Sequence, residues 1–425
     1  MCSSDLTYLF IAISIFFVFA SGLNKVEVST LTDQLILRIS RNAFIVLALI
    51  IPIVAGMGIN FAITIGAMAA QIGMLLAINW HITGAPGILV AAAITLPLGS
   101  LFGFLIGKLL NKMKGQETIG SMILGYFANG AYQLLFLFIF GRIIPLNSNV
   151  TIVGGTGVKN TISLMGDTDL YKALDSILKI PFLYALYIIL GLMCAYNAFS
   201  FFRKHTSLKK LITVLCLSVV VVSVSFIPAV AELFDGSVSG MVTTIPVVTW
   251  LLILLLCGFN TLIMKTRLGQ QFRAVGQNMV VSNASGINVN RVRVIAIMIS
   301  TILAGWGQIL FMQSEGIGTF QAYSAHEQVG LYAGAAILVG GASIDRATNS
   351  QALIGTFLFH FLFITAMDAA SSLFGDTVVG EYFRAFISYG IIALALVIYT
   401  LRNVKSKKPG AAIERDARVG RNATK

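Results

Sequence analysis

The chain has 425 residues, of which 57% are hydrophobic and only 11% are charged, and its mean hydropathy is +0.88. Soluble domains carry about 25% charged residues, so this composition excludes an ordinary soluble enzyme, a disordered tail and a collagen-like fibre. The formal net charge of +12 would suggest nucleic-acid binding in a soluble protein. With so few charges, the informative question is on which side of a membrane they lie.

Apolar runs follow one another along the whole chain. Lipid offers no hydrogen-bond partners, so spanning segments must be helices or closed barrels, and continuous runs favour helices over short alternating strands. The sequence predicts an all-α polytopic membrane protein with about 10–12 transmembrane helices, some broken or re-entrant. The predicted spans are residues 7–23, 42–57, 58–79, 87–107, 118–140, 181–201, 211–230, 242–264, 293–312, 328–344, 351–368 and 383–401.

Glycines predict where two of these segments break. Gly56 and Gly58 stand where spans 42–57 and 58–79 meet, and span 328–344 contains Gly334, Gly340 and Gly341. The first run lacks the basic start and the small-residue cleavage site of a signal peptide. We therefore expect it to be a retained helix.

Basic residues predict the orientation. Residues 108–114, 203–210, 265–293 and 402–425 hold 20 of the 29 Lys and Arg residues, and acidic residues occupy the alternate loops. Basic loops stay in the cytoplasm, so twelve spans would place both termini there. We predict a transmembrane domain over 1–401, with an external loop at 141–180 and a cytoplasmic loop at 265–292. The basic tail, 402–425, is predicted to be solvated and attracted to anionic lipid, not to nucleic acid.

The sequence predicts no catalytic residue, metal or cofactor. Its four cysteines and four histidines show no metal-ligand spacing. The glycine-rich segment 154–159 does not satisfy the phosphate-loop pattern and lies in the predicted external loop. It is interpreted as a flexible surface loop.

The cytoplasmic loop 266–291 is the most specific feature of the sequence. It resembles the coupling loop in permease subunits of ATP-binding-cassette importers, in the ribose-type and nucleoside-type branch of the branched-chain amino acid/ribose permease family. The family pattern is roughly T-x-x-G-x-x-x-R/Y-A-x-G-x-N-E-A-A-x-x-S-G-I-x-V. Matching residues are Gly269, Ala274, Gly276, Asn278, Ser285, Gly286, Ile287 and Val289, whereas Met279, Val280 and Val281 replace Glu-Ala-Ala.

The resemblance also covers much of 55–80 and 260–400, including the glycine-rich stretch 330–343. It implies a permease subunit without its own enzymatic site, with ATP hydrolysed by separate ATPase subunits. The implied partners are those ATPases, a second permease subunit in a homo- or heterodimer, an extracytoplasmic solute-binding protein and the bilayer. The implied solute is a small polar molecule such as a sugar or nucleoside.

The loop also has a plausible mechanical role. Gly276 and Gly286 bracket a segment that can form one or two helical turns between breaks. We expect this segment to stand off the membrane and to fit a groove on the ATPase, with Arg267 and Arg273 pairing with acidic residues there. The coupling residues predicted in this way are Arg267, Gly269, Arg273, Ala274, Gly276, Asn278, Ser285 and Gly286.

Polar residues inside the spans are candidates for lining the solute pathway. For uncharged amides and hydroxyls, hydrogen bonding between helices is an equally good explanation, and both interpretations stay open. The candidates are Asn60, Thr64, Gln71, Asn129, Tyr132, Gln133, Trp306 and Gln308.

An ion-coupled secondary transporter of a small polar solute is the alternative. Such carriers commonly place titrating groups near the membrane midplane. Here Asp368 is the acidic residue nearest a span interior, and it stands at the edge of its span. A sodium site made of carbonyl and hydroxyl groups would remain possible.

Overall fold

The computed structural model describes residues 3–22, 25–139, 161–165, 169–202, 208–234, 242–315, 317, 319–321, 326–343 and 346–406. The glycine-rich segment 154–159, much of the predicted external loop 141–180 and the tail beyond residue 406 lie outside the described residues.

Helices make up most of the described chain. They are α1 (Ser3–Ser21), α2 (Lys25–Ala48), α3 (Ile50–Val54), α4 (Ile63–Asn79), α5 (Gly84–Lys112), α6 (Glu117–Ile139), α7 (Phe182–Phe202), α8 (Leu208–Ser225), α9 (Pro228–Ala231), α10 (Val247–Lys265), α11 (Arg267–Gln277), α12 (Met279–Ala284), α13 (Val289–Gln313), α14 (Val329–Val339), α15 (Asn349–Phe374) and α16 (Thr377–Ser406).

Four short strands form two antiparallel ribbons. Strand β1 (Thr161–Ser163) pairs with β4 (Thr319–Gln321), and β2 (Lys179–Pro181) pairs with β3 (Thr244–Pro246). The ribbons join segments far apart in sequence and fix the loop that precedes α7 onto the ends of α10 and α13.

The predicted fold class is confirmed. Each predicted span overlaps a described helix. Within the described residues, six helical segments are long and apolar enough to cross a membrane: Val28–Val54, Gly84–Lys112, Phe182–Phe199, Val247–Lys265, Val289–Gln313 and Asn349–Phe374. The shorter apolar helical segments include Ile63–Asn79 and Val329–Val339, which belong to the broken segments.

The predicted start of the second span, residue 42, is wrong. The helix α2 begins at Lys25. The prediction missed residues 25–41 because they are too polar to count as an apolar run, whereas packing stabilises them as helix. The guanidinium of Arg38, for example, lies 4.7 Å from the ring centre of Phe363. Such a cation–π contact compensates part of the cost of placing a charge there.

Both predicted glycine breaks are present. Between α3 and α4 the backbone runs through Gly56 and Gly58 with φ of +73° and +67°, a region that side chains with a Cβ rarely adopt. The second break follows α14, where Gly341 has φ of +87°. A methyl group added at Gly340 would lie 1.9 Å from the carbonyl oxygen of Gln351, so α14 and α15 pack at backbone distance.

The helix α13 lies at the centre of the core. It packs against α2, α4 and α5. Glycines permit the closest approaches: methyl groups added at Gly103 and Gly107 of α5 would lie 2.7 Å and 2.9 Å from Cα atoms of α13. Small residues at helix interfaces are typical of membrane bundles, where close packing replaces the hydrophobic effect as the associating force.

Candidate functional site

The predicted cytoplasmic loop forms two short helices, α11 and α12. Thr266 caps the first: the amide N–H of Gly269 donates to its Oγ1 at 3.3 Å. A methyl group added at Gly269 would lie 2.2 Å from the carbonyl oxygen of Ile263. The threonine and glycine of the T-x-x-G pattern therefore let α11 fold back sharply against the end of α10.

The helix α11 is embedded in the bundle. Phe272 and Val275 are completely buried, and a methyl group added at Gly276 would lie 2.2 Å from the carbonyl oxygen of Val54 and 3.1 Å from the amide nitrogen of Gly56. The absence of a side chain at Gly276 thus allows close contact between α11 and the break after α3. The expectation that Gly276 breaks the loop helix is wrong, because it lies within α11.

The break between α11 and α12 lies at Asn278. Its backbone is extended, and its side-chain Oδ1 accepts hydrogen bonds from the amides of Val280 at 3.0 Å and Val281 at 3.1 Å. An asparagine in this position caps the next helix. Asn288 caps α13 in the same way, accepting from the amide of Arg291 at 3.0 Å.

Gly286 ends α12 in a left-handed conformation, with φ of +82°. Its amide donates to the carbonyl oxygen of Asn283 at 3.1 Å, and the amide of Ile287 donates to that of Ser282 at 3.0 Å. This pair of bonds is a Schellman cap, which requires a residue that tolerates positive φ. No atom lies within 4 Å of a methyl group added there, so the requirement is conformational and not steric.

The outer face of α12 is apolar. The side chains of Val280 and Val281 are 79% and 59% exposed, whereas Ser282 is buried and Met279 packs against the core. Arg267 and Arg273 are also exposed, and Arg273 donates a hydrogen bond to the carbonyl oxygen of Met264. Ala274 is half-buried, and the hydroxyl of Ser285 donates to the carbonyl oxygen of Val281 at 2.9 Å.

A buried ion pair joins this loop to α6. Arg293, near the start of α13, donates from Nη2 to Glu117 Oε1 at 2.6 Å, with its side chain fully buried. Its Nη1 contacts the sulfur of Met279 at 3.4 Å, and Glu117 Oε2 accepts from the amide of Gly115 at 2.8 Å. Arg293 is one of the basic residues that frame the predicted cytoplasmic loop, and the charge pattern alone did not predict its burial.

A cavity of about 120 Å³ lies where α4, α6 and α14 meet. Its polar lining comes from Thr64, Asn129, His326 and Glu327, and its aromatic lining from Phe61 and Tyr126. Glycines make the space available, since a methyl group added at Gly330 would lie 2.8 Å from the carbonyl oxygen of Phe61.

Three predicted pathway residues meet at this cavity. Thr64 and Asn129 line it, and Gln71 lies behind it, its Oε1 3.0 Å from Nδ1 of the buried His326. The Nε2 atom of His326 lies 2.8 Å from Oδ1 of Asn129, whose Nδ2 donates to Glu327 Oε1 at 2.9 Å.

The other predicted pathway residues do not line this cavity. Asn60 is buried in the first break, where its Oδ1 accepts from the amide of Ala62 at 3.1 Å. Trp306 donates from Nε1 to the carbonyl oxygen of Ala92 at 3.1 Å, which joins α13 to α5. Gln308 is buried on α13. Tyr132 is buried, with its ring edge against His326 at a centroid distance of 5.1 Å.

His326 and Glu327 were missed by sequence reasoning. They lie in a short turn before α14, outside the apolar runs in which polar candidates were sought. Their position directly before the glycine-rich stretch 330–343 was the available signal. Among the described residues, no group of three His, Cys, Asp or Glu side chains is placed to hold a metal ion.

Comparison with known proteins agrees with this architecture. The profile of the family described as "Branched-chain amino acid transport system / permease component" matches residues 31–398. The autoinducer 2 import system permease protein LsrC of Klebsiella pneumoniae is 31% identical over 149 residues, 35% of this chain and 40% of that protein. No solved structure matches the chain.

Two Escherichia coli K12 proteins are also similar. The probable ABC transporter permease protein YphD is 30% identical over 172 residues, 40% of this chain and 49% of that protein. The ribose import permease protein RbsC is 26% identical over 168 residues, 40% of this chain and 50% of that protein. The matches thus span half or less of these curated relatives. Because the family profile covers most of the chain, the chain belongs to the branched-chain amino acid transport system permease family, and its resemblance to importer permeases is confirmed.

Proposed function

We propose that this chain is the permease subunit of an ATP-binding-cassette importer that moves a small polar solute, a sugar or a nucleoside, into the cytoplasm. The observation that carries the proposal is the embedded loop pair α11–α12, which contacts the break after α3 and the buried Arg293–Glu117 ion pair. The names of the relatives support the solute class, since they include a ribose importer and an autoinducer 2 importer.

One contact reaches the cavity through the first break. Gly276 of α11 lies against Val54 and Gly56, and the same break continues to Phe61, which lines the cavity. A displacement of α11 is therefore passed directly to the backbone on one side of the cavity. Packed elements at backbone distance transmit displacement because they have no slack to absorb it.

The second contact leads to α6, which also lines the cavity. Met279 of α12 touches Arg293, and Arg293 is paired with Glu117 at the start of α6. Tyr126 and Asn129, further along α6, line the cavity. Movement of α12 thus acts on α6 through a charged contact that is costly to break.

The proposed docking surface for the ATPase is the exposed outer face of α12. Val280 and Val281 replace the two alanines of the family pattern, and their side chains are exposed. An apolar patch on such a surface is typical of an interaction site. Arg267 and Arg273, which flank it, would pair with acidic residues of the ATPase.

The complete transporter in this proposal contains further subunits. A second permease subunit, identical or different, would complete the pathway, two ATPase subunits would bind from the cytoplasm, and a solute-binding protein would deliver the solute from outside. In this arrangement both termini and the loop 265–292 face the cytoplasm, the external loop at 141–180 faces outward, and the chain itself needs no cofactor, since ATP is used by its partner. The positive-inside distribution of Lys and Arg supports this orientation.

The energy source is the experiment that separates the proposal from its alternative. The chain is reconstituted in liposomes alone, and together with the ATPase that co-purifies with it and its solute-binding protein. We expect uptake of labelled D-ribose or adenosine to require the ATPase and ATP, and to persist after ionophores collapse the proton and sodium gradients. Gradient-driven uptake by the chain alone would contradict the proposal and establish an ion-coupled carrier.

A further inference from the structure

The polar side chains around the cavity form one ordered hydrogen-bonded row. It runs from Gln71 on α4 through His326 to Asn129 on α6 and ends at Glu327, with contacts of 3.0, 2.8 and 2.9 Å. The row crosses three elements, so it is not explained by the packing of any one helix pair.

The protons of this row can be assigned from its outer end. Asn129 donates its amide hydrogen to Glu327, so its oxygen faces His326, and Nε2 of His326 must carry a hydrogen. If Gln71 also presents its oxygen, then Nδ1 would need a second hydrogen and the imidazole would be a buried cation. In that orientation the buried Nε2 of Gln71 has no hydrogen-bond partner.

A rotation of the Gln71 amide by 180° removes the buried cation, and the oxygen of Gln71 then takes the place of its nitrogen as the buried atom without a hydrogen-bond partner. The amide nitrogen then donates to an unprotonated Nδ1, and His326 is neutral. Every donor in the row now points towards Glu327, from Gln71 to His326, from His326 to Asn129, and from Asn129 to the carboxylate. The row thereby fixes the position of the carboxylate while occupying one of its oxygens, Oε1.

The cavity consequently presents a defined set of groups to a solute. Its charged lining residue is the carboxylate of Glu327, and Phe61 and Tyr126 add aromatic surface. Pockets of this kind, mostly apolar with a few fixed polar groups, bind small molecules. A carboxylate with free acceptor capacity accepts hydroxyl hydrogens and repels anions.

We propose that Glu327, positioned by Asn129, His326 and Gln71, is a solute-binding residue of this permease that selects neutral polyhydroxylated molecules and rejects their phosphorylated forms. The inference rests on the proposed function, because it takes the cavity to be part of the solute pathway. It adds the residue that recognises the solute and the charge of the solute that is excluded.

The charge of the cavity is tested without knowing the natural solute. Cys2, Cys194, Cys216 and Cys257 are replaced by serine, and Thr64→Cys supplies one thiol in the cavity wall. We expect a cationic methanethiosulfonate to react about tenfold faster than an anionic one of similar size, because of the adjacent carboxylate. Glu327→Gln should abolish this preference, and Glu381→Gln, a carboxylate on α16, should leave it intact. Equal rates for both reagents in the Thr64→Cys protein would overturn the proposal.

Solute selection is tested on the same thiol. D-ribose in large excess should slow the reaction of Thr64→Cys with a neutral maleimide, whereas ribose 5-phosphate at the same concentration should not. Slowing by neither sugar, or by both equally, would overturn the assignment. Because labelling needs no ATPase, this result is independent of the energy-source experiment: gradient-driven uptake with selective protection would refute the importer and leave the site standing.

Discussion

Arg293 and Glu117 form an ion pair of 2.6 Å in which the arginine side chain is fully buried and the glutamate side chain is 9% exposed. The two residues are 176 positions apart, and they join α13, which follows the predicted coupling loop, to α6, which lines the cavity. A buried pair of this kind contributes little net stability over an apolar pair, but loss of one partner leaves an uncompensated buried charge.

We therefore predict opposite outcomes for single and double substitutions at this pair. Glu117→Leu and Arg293→Met should each destabilise the protein by about 3–5 kcal/mol, whereas the double variant Glu117→Leu/Arg293→Met should recover much of that loss. Thermal unfolding in detergent measures both. The pair Arg384–Glu381 on α16, whose glutamate side chain is 49% exposed, is the control, and Glu381→Gln should cost no more than about 1 kcal/mol. A double variant that loses as much stability as the two single variants together would show that the buried pair is not coupled.

The contact of Gly276 with the first break gives a second prediction. Gly276→Ala places a methyl group 2.2 Å from the carbonyl oxygen of Val54, so α11 must shift, at a cost of about 1–3 kcal/mol for overpacking. Gly258→Ala on α10, where a methyl group meets nothing within 4 Å, should instead be neutral or stabilising, because alanine favours helices. The melting temperature and the ATP-driven uptake are measured for both variants. Unchanged uptake in Gly276→Ala would exclude α11 as a route to the cavity.

The exposed valines give a third prediction. Val280→Asp should strongly reduce co-purification of the ATPase, because a carboxylate would have to be desolvated in an apolar contact. Gln116→Asp, exposed in the turn between α5 and α6, adds the same charge outside α11 and α12 and should not. If Val280→Asp retains the ATPase as the parent does, the docking surface lies elsewhere.

The loop preceding α7 gives a fourth prediction, on pH. Lys172 and Lys179 both bond Glu315. Partial burial raises the pKa of Glu315, but hydrogen bonds and charge from the two lysines outweigh it and lower the pKa overall. Burial likewise lowers the pKa of Lys172, but Glu315 raises it more. The stabilisation from Glu315 is thus present above the ordinary pKa of a glutamate carboxyl and is lost as the pH falls through the lowered pKa of Glu315. At the alkaline end, it is lost as Lys172 deprotonates.

Hydrogen exchange at the amides of Lys172 and Leu174, both bonded to Gln313, measures this stabilisation after correction for intrinsic rates. We expect protection to fall on acidification, by less than about 1 kcal/mol because the pair is partly exposed. Glu315→Gln should be less protected at pH 7 and should lose less on acidification. An identical pH profile in the variant and the parent would contradict the prediction, because the effect would then not come from Glu315.

A helix could be predicted from the sequence where its apolar run is continuous, and not where charged residues interrupt that run. Spans such as α5 and α10 are apolar throughout and were found from composition. The first half of α2 was missed because Asp33, Arg38 and Arg41 interrupt its apolar run, and the contacts that compensate these charges come from distant segments. The breaks at Gly56 and Gly341 were predictable because positive φ strongly favours glycine.

The candidate site was predictable only in its local parts. Asn278 and Gly286 act through bonds to residues within five positions, so a sequence pattern contains them. Gly276 instead is required by its close contact with the backbone of Val54 and Gly56, which lie more than 200 positions earlier in the chain. The row ending at Glu327 joins α4, α6 and the turn before α14, and no periodicity within one segment predicts that meeting.

The most direct test of the account is the number of solute molecules taken up per ATP hydrolysed by the reconstituted complex. Gly286→Val imposes a side chain on a left-handed residue of the loop, and Gly375→Val imposes the same strain between α15 and α16, at φ of +69° and with nothing within 4 Å. We predict that Gly286→Val keeps normal membrane abundance and loses most uptake per ATP, while Gly375→Val keeps the parental ratio. An unchanged ratio in Gly286→Val would contradict the account, since force would then enter the permease elsewhere.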